Sequence, residues 1–125
     1  MAIDKKYISL FQDISVKAAL ASYPLIGKKD KIAADQAAVD SMRKNLNKIN
    51  MNGQIVIGEG ELDEAPMLYI GEKLGTGKGP EFDIAVDPLE GTNFAANNLP
   101  GAITVLAISS LSLRAFGADG VVASK

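Results

Sequence analysis

A chain of 125 residues carrying 13 basic and 15 acidic side chains, formal charge −2, is long enough for one modest domain and too short for two. It has neither cysteine nor histidine, which removes disulfides, thiolate and Ser-His chemistry and zinc sites of the Cys/His kind, so that any metal must be held by oxygen. No basic block tracks a phosphate backbone and no apolar run reaches membrane-spanning length, so neither nucleic acid nor a membrane is expected as a partner; without an apolar signal core at the N-terminus, the expected address is cytoplasmic.

In chain order, Tyr7, Leu10, Phe11, Ile14 and Ala18 recur at spacings of three and four, which predicts an amphipathic helix from Lys5 to about Ile26, ended or kinked near Tyr23 by Pro24. A second helix is predicted from about Ile32 to Asn47, with Val39, Met42, Leu46 and Ile49 on one stripe and Asn50 to Gly53 closing it. Ile55-Val56-Ile57 reads as a short buried strand ending at Gly58. The acids and proline at Asp63 to Pro66 suit a first helical turn, predicting a third helix that continues through Met67, Leu68 and Ile70 to Gly71 or Lys73. Phe82 to Val86 and Ala102 to Ile108 complete the predicted strands, giving an α/β fold with layered helices packed on a mixed sheet. From Ser109 onward no period is sustained.

Two predicted strands run into acid: I-V-I into Gly58-Glu59-Gly60-Glu61, and D-I-A-V into Asp87-Pro88-Leu89-Glu90-Gly91-Thr92. Loops at strand carboxyl ends line the ligand crevice of α/β sheets, so Glu59, Asp87 and Glu90 face one another if the strands are parallel neighbours. Such carboxylates would repel or raise one another's pKa, and a divalent cation with oxygen ligands is the usual remedy. In the second motif Asp87 is expected to end the strand, Pro88 to fix a turn and Leu89 to point into the core. Gly91 lets backbone approach an anion, and Thr92 offers a hydroxyl and an amide at a helix start. Glu61, Asp63 and Glu64 read equally well as a solvated helix N-terminus. From spacing alone, Asp35 in A-A-D-Q-A-A reads as the wet face of its helix.

The stretches G-E-G-E-L-D-E-A-P-M-L-Y-I-G-E (58 to 72) and D-I-A-V-D-P-L-E-G-T (83 to 92) closely resemble the bacterial class II fructose-1,6-bisphosphatases. The first is specific to that family, and the second is shared with the wider group of metal-dependent, lithium-sensitive sugar and inositol phosphatases. G-K-K-D-K-I-A-A-D-Q-A-A-V-D-S-M-R (27 to 43) is similar to the family's N-terminal segment, and the resemblance covers roughly residues 8 to 108. It implies one metal site at Asp35 and Glu59, which overturns the wet-face reading of Asp35, and a second at Asp87 and Glu90. Glu90, Gly91 and Thr92 match a substrate-touching segment, Thr92 matches the threonine that positions or activates the attacking water, and Lys31 and Asp63 fall at supporting catalytic positions.

The implied reaction is hydrolysis of the 1-phosphate of fructose 1,6-bisphosphate with Mn²⁺ or Mg²⁺, a step of gluconeogenesis, in an enzyme that forms homo-oligomers at full length. The alternatives are another inositol or sugar phosphatase of the same group, or a metal-binding fragment without turnover. Family members run to well over twice this length, and the tail departs from their pattern. The resemblance therefore implies the N-terminal part of a sugar-phosphatase-like fold, truncated, with residues 1–108 as the metal-binding part and 109–125 as an atypical tail.

Overall fold

The computed structural model describes residues 3–59 and 67–110. Helix α1 spans Lys5–Ser22 and passes through a single 3₁₀ turn, Tyr23–Leu25, before helix α2, Lys31–Leu46. Strands β1 (Asn52–Ile57), β2 (Lys73–Leu74) and β3 (Glu81–Glu90) follow, then the short helix α3 (Thr92–Ala96) and strand β4 (Ile103–Ser109). The sheet order is β2-β1-β3-β4, with β1 and β3 parallel and both outer pairs antiparallel. The expected mixed sheet with packed helices is therefore the fold.

Both long helices start on a side-chain cap: Asp4 accepts the Lys6 amide and Asp30 accepts the Ala33 amide, each at 3.0 Å. Helix α1 buries Tyr7, Phe11, Ile14 and Ala18, while Leu10, expected on that stripe, is 43% exposed. Helix α2 buries Ala34, Ala38, Val39, Met42 and Leu46. Fully buried alanines at 18, 34 and 38 remove the side-chain bulk that would hold the two helices apart. Phe82 of β3 meets the Tyr7 and Phe11 rings edge-on, at centroid distances of 5.1 and 5.7 Å. The Tyr7 hydroxyl donates to the Asn50 carbonyl at 2.9 Å, so one aromatic cluster joins α1, the α2–β1 turn and the sheet.

Two expectations need correction. The described part of the predicted third helix, from Met67 onward, is not helical but turns at Ile70–Gly71 into β2. Its backbone is engaged by β1 instead: the Gly71 amide donates to the Ile55 carbonyl at 2.7 Å, and the Ile55 amide donates to the Glu72 carbonyl at 3.0 Å. Gly71 adopts φ 94°, a left-handed conformation that helix propagation does not allow. The predicted first turn at Asp63 to Pro66 lies outside the described residues. The second correction is that β3 does not stop at Asp87 but runs through Pro88 to Glu90. Proline, which cannot donate to a ladder, is tolerated there because the pairing with β4 is already broken by a bulge between Asp87 and Glu90.

Candidate functional site

Two register irregularities bring the acids together. In a regular strand, residues three apart point to opposite faces. Asp87 pairs with Val105 and Glu90 with Ile103, so three steps on β3 match two on β4, and the extra residue returns Glu90 to the side of Asp87. Both residues between them are buried: Pro88 fully, and Leu89, which joins the core as expected and pins the bulge. On β1, Ile55 pairs with Ile84 but Ile57 with Ala85. Continued two residues along each strand, that shifted register brings Glu59 level with Asp87 rather than with Pro88.

The third contributor is α2. Asp35 lies in its second turn, half-buried. The start of α2 is fixed relative to α3 by the preceding loop, whose Gly27 and Lys29 amides donate to the Ala95 and Ala96 carbonyls at 3.0 and 2.8 Å. The result is a cleft of about 500 Å³ lined by Asp35, Glu59, Asp87, Glu90, Gly91 and Thr92, together with Met67, Leu89, Asn93 and Phe94. Gly91 caps α3 with φ 78°, and a Cβ there would stand 2.9 Å from the Phe94 ring. Thr92 is the first residue of α3 and half-buried.

The carboxylates stand as two neighbouring pairs in the cleft, Asp35 beside Glu59 and Asp87 beside Glu90. Burial raises the Asp35 carboxyl, partly offset by its hydrogen bond to Glu59. Glu59 is pushed up to about 7, first by burial and then by the charges of Asp35 and Asp87. Asp87 is also pushed up to about 7, by burial and then by Glu90 through its hydrogen bond and charge. Asp35 Oδ1 and Glu59 Oε2 are buried without a hydrogen-bond partner. Buried acceptors left unpaired are costly, and an all-oxygen donor set with unspent lone pairs suits a hard cation such as Mg²⁺ or Mn²⁺. Among the described residues, no three of these side chains are gathered into one ligand sphere; each pair offers two carboxylates.

Lys31, expected in a supporting role, is exposed at the first position of α2 and does not line the cleft. Asp63, with Glu61 and Glu64, lies outside the described residues. Sequence reasoning missed Met67, Asn93 and Phe94, of which Phe94 is 47% exposed beside the cleft. An aromatic two residues after Gly91-Thr92 was the available signal.

The fold is that of a two-layer α/β chain whose acidic cleft opens at the carboxyl ends of parallel strands. A solved extragenic suppressor from Pyrococcus furiosus shares this fold with a TM-score of 0.56 at 17% identity, over 85% of this chain and 41% of that one. The chain belongs to the bacterial fructose-1,6-bisphosphatase, glpX-encoded, family, whose model matches residues 6–113. Among its relatives, the D-fructose 1,6-bisphosphatase class 2/sedoheptulose 1,7-bisphosphatase of Synechococcus sp. (strain CC9902) is 57% identical over 107 residues, which is 86% of this chain and 32% of that protein. Fructose-1,6-bisphosphatase 1 class 2 of Escherichia coli (strain K12) is 57% identical over 98 residues, 78% of this chain and 29% of that protein. The chain thus spans about a third of the length of these relatives. No described helix is long and apolar enough to cross a membrane.

Proposed function

We propose that this cleft is the metal-binding half of a phosphatase centre that hydrolyses the 1-phosphate of fructose 1,6-bisphosphate, giving fructose 6-phosphate and inorganic phosphate. The observation that carries the reading is the gathering of Asp35, Glu59, Asp87 and Glu90 in one cleft, with Asp35 Oδ1 and Glu59 Oε2 buried and unpartnered. Asp35 and Glu59 would hold one divalent cation, Mn²⁺ or Mg²⁺, and Asp87 and Glu90 a second. Bound there, the cations lower the pKa of water and neutralise phosphoryl oxygens.

In that reaction a water oxygen forms a bond to phosphorus while the bond from phosphorus to the sugar oxygen breaks, and the sugar oxygen leaves with a proton. Thr92 orients the water through its hydroxyl. The Thr92 and Asn93 amides, at positions where a helix start has no intrahelical partner to offer, supply donors for phosphate oxygens, and Gly91 keeps Cβ bulk out of their way. Asp63 takes a supporting role. The same reading includes a place in gluconeogenesis, a cytoplasmic address, homo-oligomeric assembly and use of sedoheptulose 1,7-bisphosphate, the last supported by the name of the Synechococcus relative.

A second reading is cation binding without turnover. It is favoured by the cleft walls, which among the described residues carry no lysine or arginine to grip the second phosphate of a sugar bisphosphate. The test is phosphate release by this chain from fructose 1,6-bisphosphate, with inositol 1-phosphate in parallel, in Mn²⁺ and after chelation. Mn²⁺-dependent release from the bisphosphate, abolished by Asp87→Asn, is expected. Metal-independent release, or release unchanged in the variant, overturns the assignment of the cleft; Mn²⁺ binding without release selects the second reading.

A further inference from the structure

Glu72 is 8% exposed, and it forms an ion pair with Arg43 across the chain. The Arg43 guanidinium donates from Nε to Glu72 Oε2 at 2.8 Å and from Nη2 to Glu72 Oε1 at 3.1 Å, a two-pronged geometry that lysine cannot reproduce. Nη2 also donates to the Met67 carbonyl at 2.6 Å. Glu72 Oε1 in turn receives the Tyr69 amide at 3.4 Å. The arm from Met67 to Glu72 is thereby fastened at both ends to α2.

That arm is what holds Glu59. The Glu59 amide donates to the Leu68 carbonyl at 3.0 Å. The approach is so close that a Cβ at Gly58 would run into the same Leu68 oxygen. Met67 lines the cleft. Arg43 also shares its helix with Asp35, eight positions earlier, a rise of roughly 12 Å along α2. One rigid helix therefore presents Asp35 to the cleft directly and reaches Glu59 through Arg43, Glu72 and Leu68. The pair is part-buried, with the Arg43 side chain 26% and that of Glu72 10% exposed, and neither exposed nor buried ion pairs add much net stability, so stability alone gives little reason for it to stand here.

We propose that Arg43 is a positioning residue: through Glu72 and the Met67 and Leu68 carbonyls it fixes the Glu59 carboxylate opposite Asp35, and so sets the affinity of that pair for a divalent cation. The inference rests on the metal-site reading given above, and two measurements separate their failures. The first is Mn²⁺ affinity of the chain, titrated by the electron paramagnetic resonance signal of free Mn²⁺ at a temperature where circular dichroism shows every variant folded. The second is hydrogen exchange of the Glu59 amide without metal.

Arg43→Lys is expected to weaken Mn²⁺ binding about tenfold or more, the usual effect of losing an outer partner of a metal ligand, and to speed Glu59 amide exchange. Phe11→Leu, a destabilising control in the aromatic cluster on α1, is expected to change neither. Should Arg43→Lys fail to fold, Glu72→Gln keeps the shape of the pair and is expected to move both readouts in the same direction by less. Wild-type affinity and exchange in the Arg43 or Glu72 variant overturn the proposal, as does an equal loss in Phe11→Leu. If the wild-type chain binds no Mn²⁺, the metal-site reading falls, and the exchange rate still decides whether Arg43 positions Glu59.

Discussion

Glu59 and Asp87 differ from ordinary surface carboxylates because burial and neighbouring acids push both up to about 7, from reference values of 4.5 and 3.8. Raised acids bind protons more tightly in the folded chain than in the unfolded one. Between the unfolded values near 4 and the folded values near 7, the folded state therefore carries the extra protons, and stability falls as pH rises through that window. Above about 7 both states are ionised at these groups and the loss is complete. The metal-free melting temperature is expected to drop between pH 5 and pH 8, and the drop is expected to shrink in Glu59→Gln and Asp87→Asn. The difference between wild type and variant isolates these groups from the other titrating residues. A variant that retains the full slope would mean that the carboxyl it removed is not the one whose protonation couples to folding. Because a metal ligand must be deprotonated, Mn²⁺ should stabilise the wild-type chain more at pH 8 than at pH 5.

At the scale of elements, the short turn from β3 into α3 depends on a single left-handed residue. Gly91 has φ 78°, and an added Cβ would press on the Phe94 ring at 2.9 Å. Gly77 has a similar φ of 82°, but nothing lies within 4 Å of where its Cβ would be. Alanine at either position incurs the left-handed penalty of about 1 kcal/mol, and Gly91→Ala adds the contact with Phe94. Urea unfolding should therefore show Gly91→Ala to be the more destabilising change. Equal losses would show that the Phe94 side chain yields without cost. The two long helices were legible from apolar residues recurring at three and four, with Pro24 and Asn50 to Gly53 as breakers, and three of the strands from short apolar runs. The arm at 67 to 72 was not, since its apolar spacing mimics a helix while its hydrogen bonds belong to β1. Nor was the bulge at Pro88, which has no signature beyond a proline in an apolar run. Asp87 and Glu90 were legible as a pair; that they share a side depends on the bulge. The Arg43–Glu72 pair spans 29 positions and leaves no local pattern at all.

Across the whole molecule, the core and the cleft are separate sources of stability. The aromatic cluster of Tyr7, Phe11 and Phe82 knits α1 to the sheet, and none of the three lines the cleft. A ligand bound only by the folded state adds RT ln(1 + [L]/Kd), which is about 2.7 kcal/mol at a hundredfold excess over Kd. For a domain of this size that is a rise of roughly 10 °C in Tm. Phe11→Ala should cost about 3 kcal/mol or more by opening a cavity in the core, yet the free energy gained from Mn²⁺ should match that of the wild-type chain, because distant sites without shared partners add. Asp87→Asn should invert this pattern, with little loss of metal-free stability, or even a gain from removing a repelled carboxylate, and a Mn²⁺ increment cut to what the Asp35–Glu59 pair alone supplies. Denaturant unfolding of the three chains with and without Mn²⁺ measures both metal-free changes and all three Mn²⁺ increments. A Mn²⁺ increment that shrinks in Phe11→Ala by as much as in Asp87→Asn would mean that the cleft forms only when the aromatic cluster is packed, making core and site one cooperative unit instead of two.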